Sequence, residues 1–443
     1  MSYKVSMLSL GCSKNRVDGE LMLAFLRDAG YEIVEDINMC DIALVNTCGF
    51  IDDAKKESIE EILDLARLKN EGIISSIIVT GCLAERYQSE VMKEMPEIDA
   101  VVGIGANSDI VKIVNAAING KKTEIFPDKL NLPMNGRRVR TTPKHYAYLK
   151  VAEGCDNRCT YCAIPLIRGK FRSRRMEDII DEAKLLSENG VRELLVIAQD
   201  TTRYGEDIYG KLMLPQLLKE LCKIEKISWI RILYCYPDRI TDELIEVMKS
   251  EEKVLNYIDL PLQHCNGKVL KSMNRKGDKE SLRLLIEKMR KEIPGVVIRT
   301  TFICGFPGET EKEFEELSEF VNEIRFERMG CFTYSREEDT KAALMKEQVD
   351  EEIKKKRQQI LMEQQMGIME DLCKSLINKT IKVIVDAYDE EEKLYIGRSV
   401  FDSPDIDGGV LFYAHKRIPK TGEFVDVKIN DFVDCDLIGE IVE

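Results

Sequence analysis

Three cysteines in one short segment constrain this chain more than any other feature. Cys155, Cys159 and Cys162 are separated by three and two residues, with Gly154 before the first and Pro165 after the last. On a straight helix or strand the three thiolates cannot all reach one another, but a loop lets them converge on a shared ion or cluster. Iron–sulfur clusters are held by cysteine thiolates in short runs of this kind. Three ligands on a four-iron cluster leave one iron open to a small molecule.

Two other interpretations of the segment stay open. A zinc site is usually built from two pairs of Cys or His ligands, and three neighbouring cysteines can also be buried by chance. The short, uneven spacing in a Gly- and Pro-bounded loop favours the iron–sulfur site over both.

Length and charge narrow the class of protein. A chain of 443 residues predicts two to three domains. Its 65 Lys and Arg against 79 Asp and Glu give a net charge of −14, which excludes a strongly basic nucleic-acid footprint and favours a basic partner. The N-terminus lacks the pattern of a signal peptide, and no apolar run has membrane-spanning length. We therefore expect a cytoplasmic protein in which the clustered members of its 14 cysteines serve metal binding or redox chemistry rather than disulfides.

The first 125 residues alternate short apolar runs with amphipathic stretches, which predicts a parallel α/β sheet. Each of three predicted strands ends beside a cysteine. Because open α/β sheets place ligand sites at the carboxyl ends of their strands, we expect these three cysteines to form a second cluster site. Cys40 precedes its strand and is excluded. The strands are Val5–Leu10, Ile42–Asn46 and Ser76–Thr80, and the cysteines are Cys12, Cys48 and Cys82.

A Pro- and Gly-rich stretch at 123–143 predicts a linker. From Ala147 onward the pattern repeats strand and helix, which predicts a TIM-like (β/α) barrel of six units over 140–372. The cysteine loop follows its first strand, and Gln199-Asp200 ends the next, at the barrel end where such folds carry their chemistry. Five basic residues follow the cysteine loop, and they suit either an exposed surface or contact with a carboxylate or substrate. They are Arg168, Lys170, Arg172, Arg174 and Arg175.

The last segment, 376–443, predicts a small all-β barrel, preceded by a charged helix from about Asp350 to Leu376. From Leu376 onward there are 8 Lys and Arg and 15 Asp and Glu, a net charge of −7. RNA-binding barrels need the opposite sign. We therefore expect this barrel to bind something cationic, or nothing.

These motifs together resemble the methylthiotransferases of the radical S-adenosylmethionine (SAM) superfamily over nearly the full length. The cysteine loop Glu153–Cys162 resembles that superfamily's signature, and the acidic barrel resembles the family's TRAM domain. Leu8–Asn15, Ile164–Gly169 and Gly397–Gly408 resemble the RimO-like branch, which modifies a ribosomal protein, more than the MiaB-like branch, which modifies tRNA. The segment Tyr334–Lys341 departs from the family pattern, because relatives usually carry proline and glycine there.

The resemblance implies two 4Fe–4S clusters and SAM in two roles, as radical source and as methyl donor. It implies that Cys155, Cys159 and Cys162 hold the cluster that binds SAM, with Tyr161, Gln199 and Asp200 as further cofactor contacts. It implies that Cys12, Cys48 and Cys82 hold the cluster that donates sulfur. No catalytic residue beyond the cluster ligands is expected, because hydrogen abstraction by a radical needs no base.

The resemblance also implies a substrate and partners. The target would be the β-carbon of an aspartate in ribosomal small-subunit protein twelve, and the electrons would come from a reductant such as flavodoxin or ferredoxin. We expect a monomer with no membrane partner. Two alternatives stay open: methylthiolation of a tRNA adenosine, and a non-catalytic iron–sulfur scaffold that binds the ribosome.

Overall fold

Six parallel strands form the N-terminal sheet of the computed structural model, which describes residues 3–442. The strand order is β2-β1-β3-β4-β5-β6, and helices cover both faces over two separate apolar layers. The central strands β3 and β4 are wholly buried, as their continuous apolar runs predict. The elements are β1 (Lys4–Ser9), α1 (Ser13–Asp28), β2 (Glu32–Ile33), β3 (Ile42–Thr47), α2 (Asp52–Asn70), β4 (Ser76–Gly81), α3 (Cys82–Tyr87), α4 (Ser89–Glu94), β5 (Ala100–Val102), α5 (Ile110–Ile118) and β6 (Thr123–Ile125).

The prediction of a linker from residue 123 was wrong at its start. Residues Thr123–Ile125 form β6 and pair with β5 in parallel. The sequence could not show this, because β6 is mostly exposed and so carries no apolar run. Regular structure between β6 and the next strand is limited to one short helical turn, Lys129–Asn131.

The second sheet also has six parallel strands, in the order β14-β13-β12-β11-β10-β7, which confirms the predicted six-unit partial barrel. Helices pack on its outer face around the largest apolar core of the protein. The elements of this part of the chain are β7 (Tyr146–Lys150), β8 (Ala152–Glu153), α6 (Ile164–Arg168), β9 (Arg172–Ser173), α7 (Met176–Glu188), β10 (Glu193–Ile197), α8 (Glu206–Tyr209), α9 (Leu214–Cys222), β11 (Trp229–Ile232), α10 (Asp242–Ser250), β12 (Val254–Asp259), α11 (Gly267–Ser272), α12 (Lys279–Glu292), β13 (Val297–Cys304), α13 (Glu311–Ile324), β14 (Arg328–Thr333) and α14 (Glu351–Leu376). The strands β8 and β9 pair with each other in a separate antiparallel sheet.

The C-terminal segment forms a closed barrel of five strands in the order β15-β16-β17-β19-β18, which confirms the predicted all-β barrel. Four of these strands are visible in the sequence as alternating runs; β16 is not, because Gly397 and Arg398 interrupt its apolar pattern. The strands are β15 (Thr380–Asp389), β16 (Leu394–Arg398), β17 (Val410–Tyr413), β18 (Phe424–Val433) and β19 (Asp436–Ile441).

This small barrel covers part of the inner face of the second sheet. The Trp229 ring on β11 meets Phe424 edge-on, with the ring centroids 4.8 Å apart. The Arg398 guanidinium lies 2.6 Å from Glu193 on β10, and both side chains are buried. The C-terminal barrel therefore covers the second sheet at the amino ends of β10 and β11, which begin at Glu193 and Trp229. Among the described residues, no helix combines the length and the apolar character needed to cross a membrane.

Candidate functional site: two cysteine trios

Strand register brings Cys12, Cys48 and Cys82 to one edge of the N-terminal sheet. Asn46 on β3 lies opposite Ser9 on β1 and also opposite Thr80 on β4, so the three strands end level with one another. The three cysteines follow within three residues of those positions. Burial and the neighbouring thiols raise the pKa of Cys82 to about 12, with both Cys12 and Cys48 contributing. A nearby negative charge disfavours ionisation of a thiol. The contributions of Cys12 and Cys48 to the pKa of Cys82 therefore mean that the three thiols lie near one another.

Two glycines shape this edge. Gly81 has φ +94°, and a Cβ there would lie 2.5 Å from the backbone of Thr47 on the next strand. Gly11 has φ +85°, and a Cβ there would lie 2.9 Å from the Sγ of Cys48. Only glycine permits both the turn and the close approach. The two Gly-Cys pairs therefore place the thiols of Cys12 and Cys82 at this edge of the sheet.

The second trio lies on a loop between β8 and α6. Gly154 has φ +74°, and a Cβ there would lie 2.1 Å from the Lys170 carbonyl oxygen. The Thr160 amide donates to the Met273 carbonyl at 3.0 Å, which fastens the middle of the loop to the end of α11. Burial raises the pKa of Cys155 to about 11 and also raises the pKa of Cys162.

Buried thiols with raised pKa values are protonated at neutral pH, so a bound metal must displace their protons. Within the described residues, no three His, Cys, Asp or Glu side chains converge closely enough to hold one metal ion. In an iron–sulfur cluster each thiolate binds a different iron, so three all-thiol donors in a loop or along a sheet edge fit that larger group.

Cys159 has polar neighbours that the sequence did not reveal. The Tyr236 hydroxyl lies 3.5 Å from its Sγ, and the Arg275 guanidinium lies 4.0 Å away. Arg275 also stacks over the Tyr236 ring at 4.1 Å. The two residues come from loops after β11 and α11, so only the fold brings a cation beside this thiol.

The three predicted cofactor contacts differ in their surroundings. Tyr161 packs against an apolar group that includes Met273 and Phe306. The Gln199 side chain donates to Glu153 at 2.6 Å, while its own Oε1 is buried and has no hydrogen-bond partner among the described residues. That free oxygen beside the cysteine loop fits a bound group that donates a hydrogen bond.

The carboxylate of Asp200 is already hydrogen-bonded by other side chains of the protein. One carboxylate oxygen accepts from Asn157 at 2.8 Å and from Arg239 at 2.9 Å, and the other accepts from Thr202 at 2.7 Å. Asn157 belongs to the cysteine loop. The structure therefore places Asp200 where it holds the loop.

The exposed interpretation of the basic stretch is wrong for two of its five members. Arg168 and Arg174 are buried, whereas Lys170 and Arg175 are exposed. Arg168 donates to Asn15 at 3.0 Å and contacts the Sγ of Cys82 at 3.3 Å. No spacing in the sequence signals this contact, because residues 15 and 82 reach Arg168 only through the packing of two domains. Arg168, six residues after Cys162, thus links the segment that follows one trio to a thiol of the other.

Three family models match the chain. The uncharacterized protein family UPF0004 matches residues 4–103, the Radical SAM superfamily matches residues 149–321, and the TRAM domain matches residues 377–442. In fold, the chain is similar to a radical S-adenosylmethionine methyltransferase, TsrM, from Kitasatospora setae, with a TM-score of 0.56 and 13% identity over 74% of this chain and 73% of that one.

The partial barrel with its cysteine loop, the α/β sheet with its own trio and the closed C-terminal barrel define a radical SAM protein with two added domains. Two full-length relatives are named ribosomal protein uS12 methylthiotransferase RimO. That of Lachnoclostridium phytofermentans is 49% identical over 98% of this chain and 99% of its own, and that of Caldanaerobacter subterraneus is 51% identical over the same shares. The chain belongs to the RimO family of uS12 methylthiotransferases.

Proposed function

We propose that the protein is a radical SAM methylthiotransferase that inserts a methylthio group at the β-carbon of an aspartate in ribosomal protein uS12. The observation that carries the proposal is the buried contact between Arg168, which lies six residues after Cys162 in the chain, and Cys82 of the N-terminal trio. A methylthiotransferase needs a radical and a sulfur donor within reach of one substrate carbon. The contact of the segment after one trio with a thiol of the other supports such an arrangement, which a single trio would not provide.

In this proposal the domains divide the work. Residues 1–125 carry the sulfur-donating cluster, 140–372 form the radical SAM barrel, and 376–443 form the TRAM domain. Cys155, Cys159 and Cys162 would hold a 4Fe–4S cluster with SAM on its open iron, and Cys12, Cys48 and Cys82 would hold a second 4Fe–4S cluster. When bound, these groups supply radical chemistry, sulfur and a methyl group.

The chain itself orients these groups and excludes water. Gln199 offers a buried acceptor beside the cysteine loop, suited to the amino group of SAM. Arg275 and Tyr236 lie beside Cys159, where a cation and a hydroxyl stabilise negative charge on a ligating thiolate. Asp200 fixes the loop through Asn157. Tyr161 supports the loop by packing against Met273 and Phe306, and it would be a further contact of bound SAM.

Charge supports a protein substrate over RNA. The net charge of −14 for the chain and the acidic C-terminal barrel attract a basic ribosomal protein and repel a nucleic-acid backbone. We further propose that the protein acts as a monomer in the cytoplasm and takes electrons from a small reductant such as flavodoxin or ferredoxin.

Mass spectrometry of two substrates tests the proposal. Anaerobically reconstituted enzyme would be given SAM, reductant and sulfide, with small ribosomal subunits and unmodified tRNA in parallel. We expect one methylthio group on an aspartate of uS12 and none on tRNA. Modification of a tRNA adenosine would move the protein to the sister activity, and no product on either substrate with both clusters loaded would favour the scaffold.

A further inference from the structure

The guanidinium of Arg168 is enclosed at the boundary between the N-terminal sheet and the barrel. Arg168 ends α6, the helix that begins two residues after Cys162, and only 1% of it is exposed. Its Nη2 lies 3.3 Å from the Sγ of Cys82 and 3.0 Å from Oδ1 of Asn15. A side chain from the segment of one trio thereby donates to a thiol of the other.

Four charged side chains share this enclosed space. Arg168 donates to Asp18 and lies 3.4 Å from Glu153, and Lys150 donates to Asp18 and, at 2.9 Å, to Glu153. The two cations, Arg168 and Lys150, therefore balance the charges of the two anions, Asp18 and Glu153, without any contribution from Cys82. A thiolate at Cys82 is an additional negative charge, and the N–H groups of Arg168 face it directly. A charge-assisted hydrogen bond is strong in such a buried site.

We propose that Arg168 is a positioning residue that donates a hydrogen bond to the Cys82 sulfur and raises the reduction potential of the cluster bound by the N-terminal trio. This inference rests on the proposed function, because it requires a cluster at that trio. Reduction adds one negative charge to a cluster, and donors and positive charge beside its sulfur ligands stabilise the reduced form. The electron comes from the reductant, and no covalent bond forms or breaks.

If Arg168 had a purely structural role, its replacement would change a different measured quantity. Ala163 and Ile167 already pack against Cys82, so the contact between α3 and α6 has an apolar component of its own. A residue that only fastened the two helices would change stability and leave the potential of a correctly loaded cluster unchanged. The potential is therefore the deciding quantity.

The experiment uses the full chain with Cys155, Cys159 and Cys162 replaced by Ala, so that only the N-terminal trio binds a cluster. After reconstitution, iron content is measured and the cluster is titrated by electron paramagnetic resonance. In this background we compare Arg168→Gln, Arg168→Lys and the control Arg231→Gln. Arg231 is equally buried and pairs with Glu193 at 3.0 Å, and Glu193 keeps a second cation, Arg398, when Arg231 is lost.

We expect Arg168→Gln to lower the midpoint potential and alter the signal, Arg168→Lys to lower it less, and Arg231→Gln to leave it unchanged. A fully loaded Arg168→Gln variant with the parent midpoint would overturn the inference. If that variant does not bind iron, Arg168→Lys decides: a midpoint below the parent supports the inference and an equal midpoint overturns it. If the parent chain itself binds no cluster, the proposed function fails instead.

Discussion

The carboxylate of Glu337 lies 2.7 Å from the guanidinium of Arg86, and both side chains are buried. Glu337 belongs to the loop after β14, and Arg86 belongs to α3, the helix that Cys82 begins. Lys55 on α2 also reaches Glu337, at 3.1 Å. The same loop contacts the other trio, because the Ala342 amide donates to the Thr160 carbonyl at 2.9 Å. The loop that contains the segment Tyr334–Lys341, together with Ala342, thus contacts both cysteine-bearing segments.

Replacing Glu337 by Gln should destabilise the protein by about 3 kcal/mol, because it leaves the buried Arg86 and the mostly buried Lys55 without their shared anion. Chemical denaturation measures the loss. The control is Glu338→Gln. The Glu338 carboxylate contacts the Tyr87 hydroxyl at the surface, so this change should alter the free energy of unfolding by less than about 1 kcal/mol. Equal effects of the two changes would contradict this account.

The variants Cys159→Ala and Cys82→Ala should each lose about half of the bound iron, and each should lose a different step of the reaction. Cys159→Ala should abolish SAM cleavage, since it removes a ligand of the barrel trio. Cys82→Ala should keep SAM cleavage and lose sulfur insertion. Iron analysis and product chromatography measure both. Cys222→Ala, on α9 and remote from both trios, should behave like the parent; persistent cleavage in Cys159→Ala would refute the ligand assignment.

Gly154→Ala should prevent the barrel trio from binding its cluster, because the new Cβ would lie 2.1 Å from the Lys170 carbonyl oxygen. We expect iron content to fall by about half. Gly190→Ala is a matched control: its φ is +92°, but the nearest atom to its Cβ is 3.9 Å away. It should cost only the backbone strain of about 1–2 kcal/mol and keep full iron. Full iron in both variants would exclude the steric argument.

Asp386 should make the junction of the C-terminal barrel sensitive to acid. Burial favours its neutral form, but the hydrogen bond from His145 and the Arg398 guanidinium outweigh burial and hold the pKa of Asp386 below its usual value of 3.8. A carboxylate with a lowered pKa stabilises the fold above pH 3.8, and that contribution is lost as pH falls through the folded-state pKa.

Asp386→Asn should therefore cost about 2 kcal/mol near neutral pH, and the difference from the parent should shrink as pH falls below about 4. Denaturation at several pH values measures it. Asp426→Asn, at an exposed position on β18, should show little difference at any pH. A difference for Asp386→Asn that stayed constant with pH would contradict the assignment.

Local patterns predicted much of the fold and the composition of the site. Short stretches of sequence indicate the cysteine loop, the six-unit barrel and the C-terminal barrel. They also indicate the three strand ends that carry Cys12, Cys48 and Cys82. Periodicity and turn residues act over a few positions, so they can be read without knowledge of the fold. The exposed strand β6 and the interrupted strand β16 lacked such a signal.

By itself, the sequence determined which side chains are available for the chemistry: six cysteines in two sets, each at a place where parallel strands or a glycine-bounded loop can present thiols. Only the tertiary structure decided how the sets are related. Three contacts join residues that are far apart in the chain. Arg168 is buried against Cys82, Glu337 pairs with Arg86, and Asp200 accepts a hydrogen bond from the cysteine loop. The physical reason is that the packing of the domains buries these charged groups away from water, where an unpaired charge is costly.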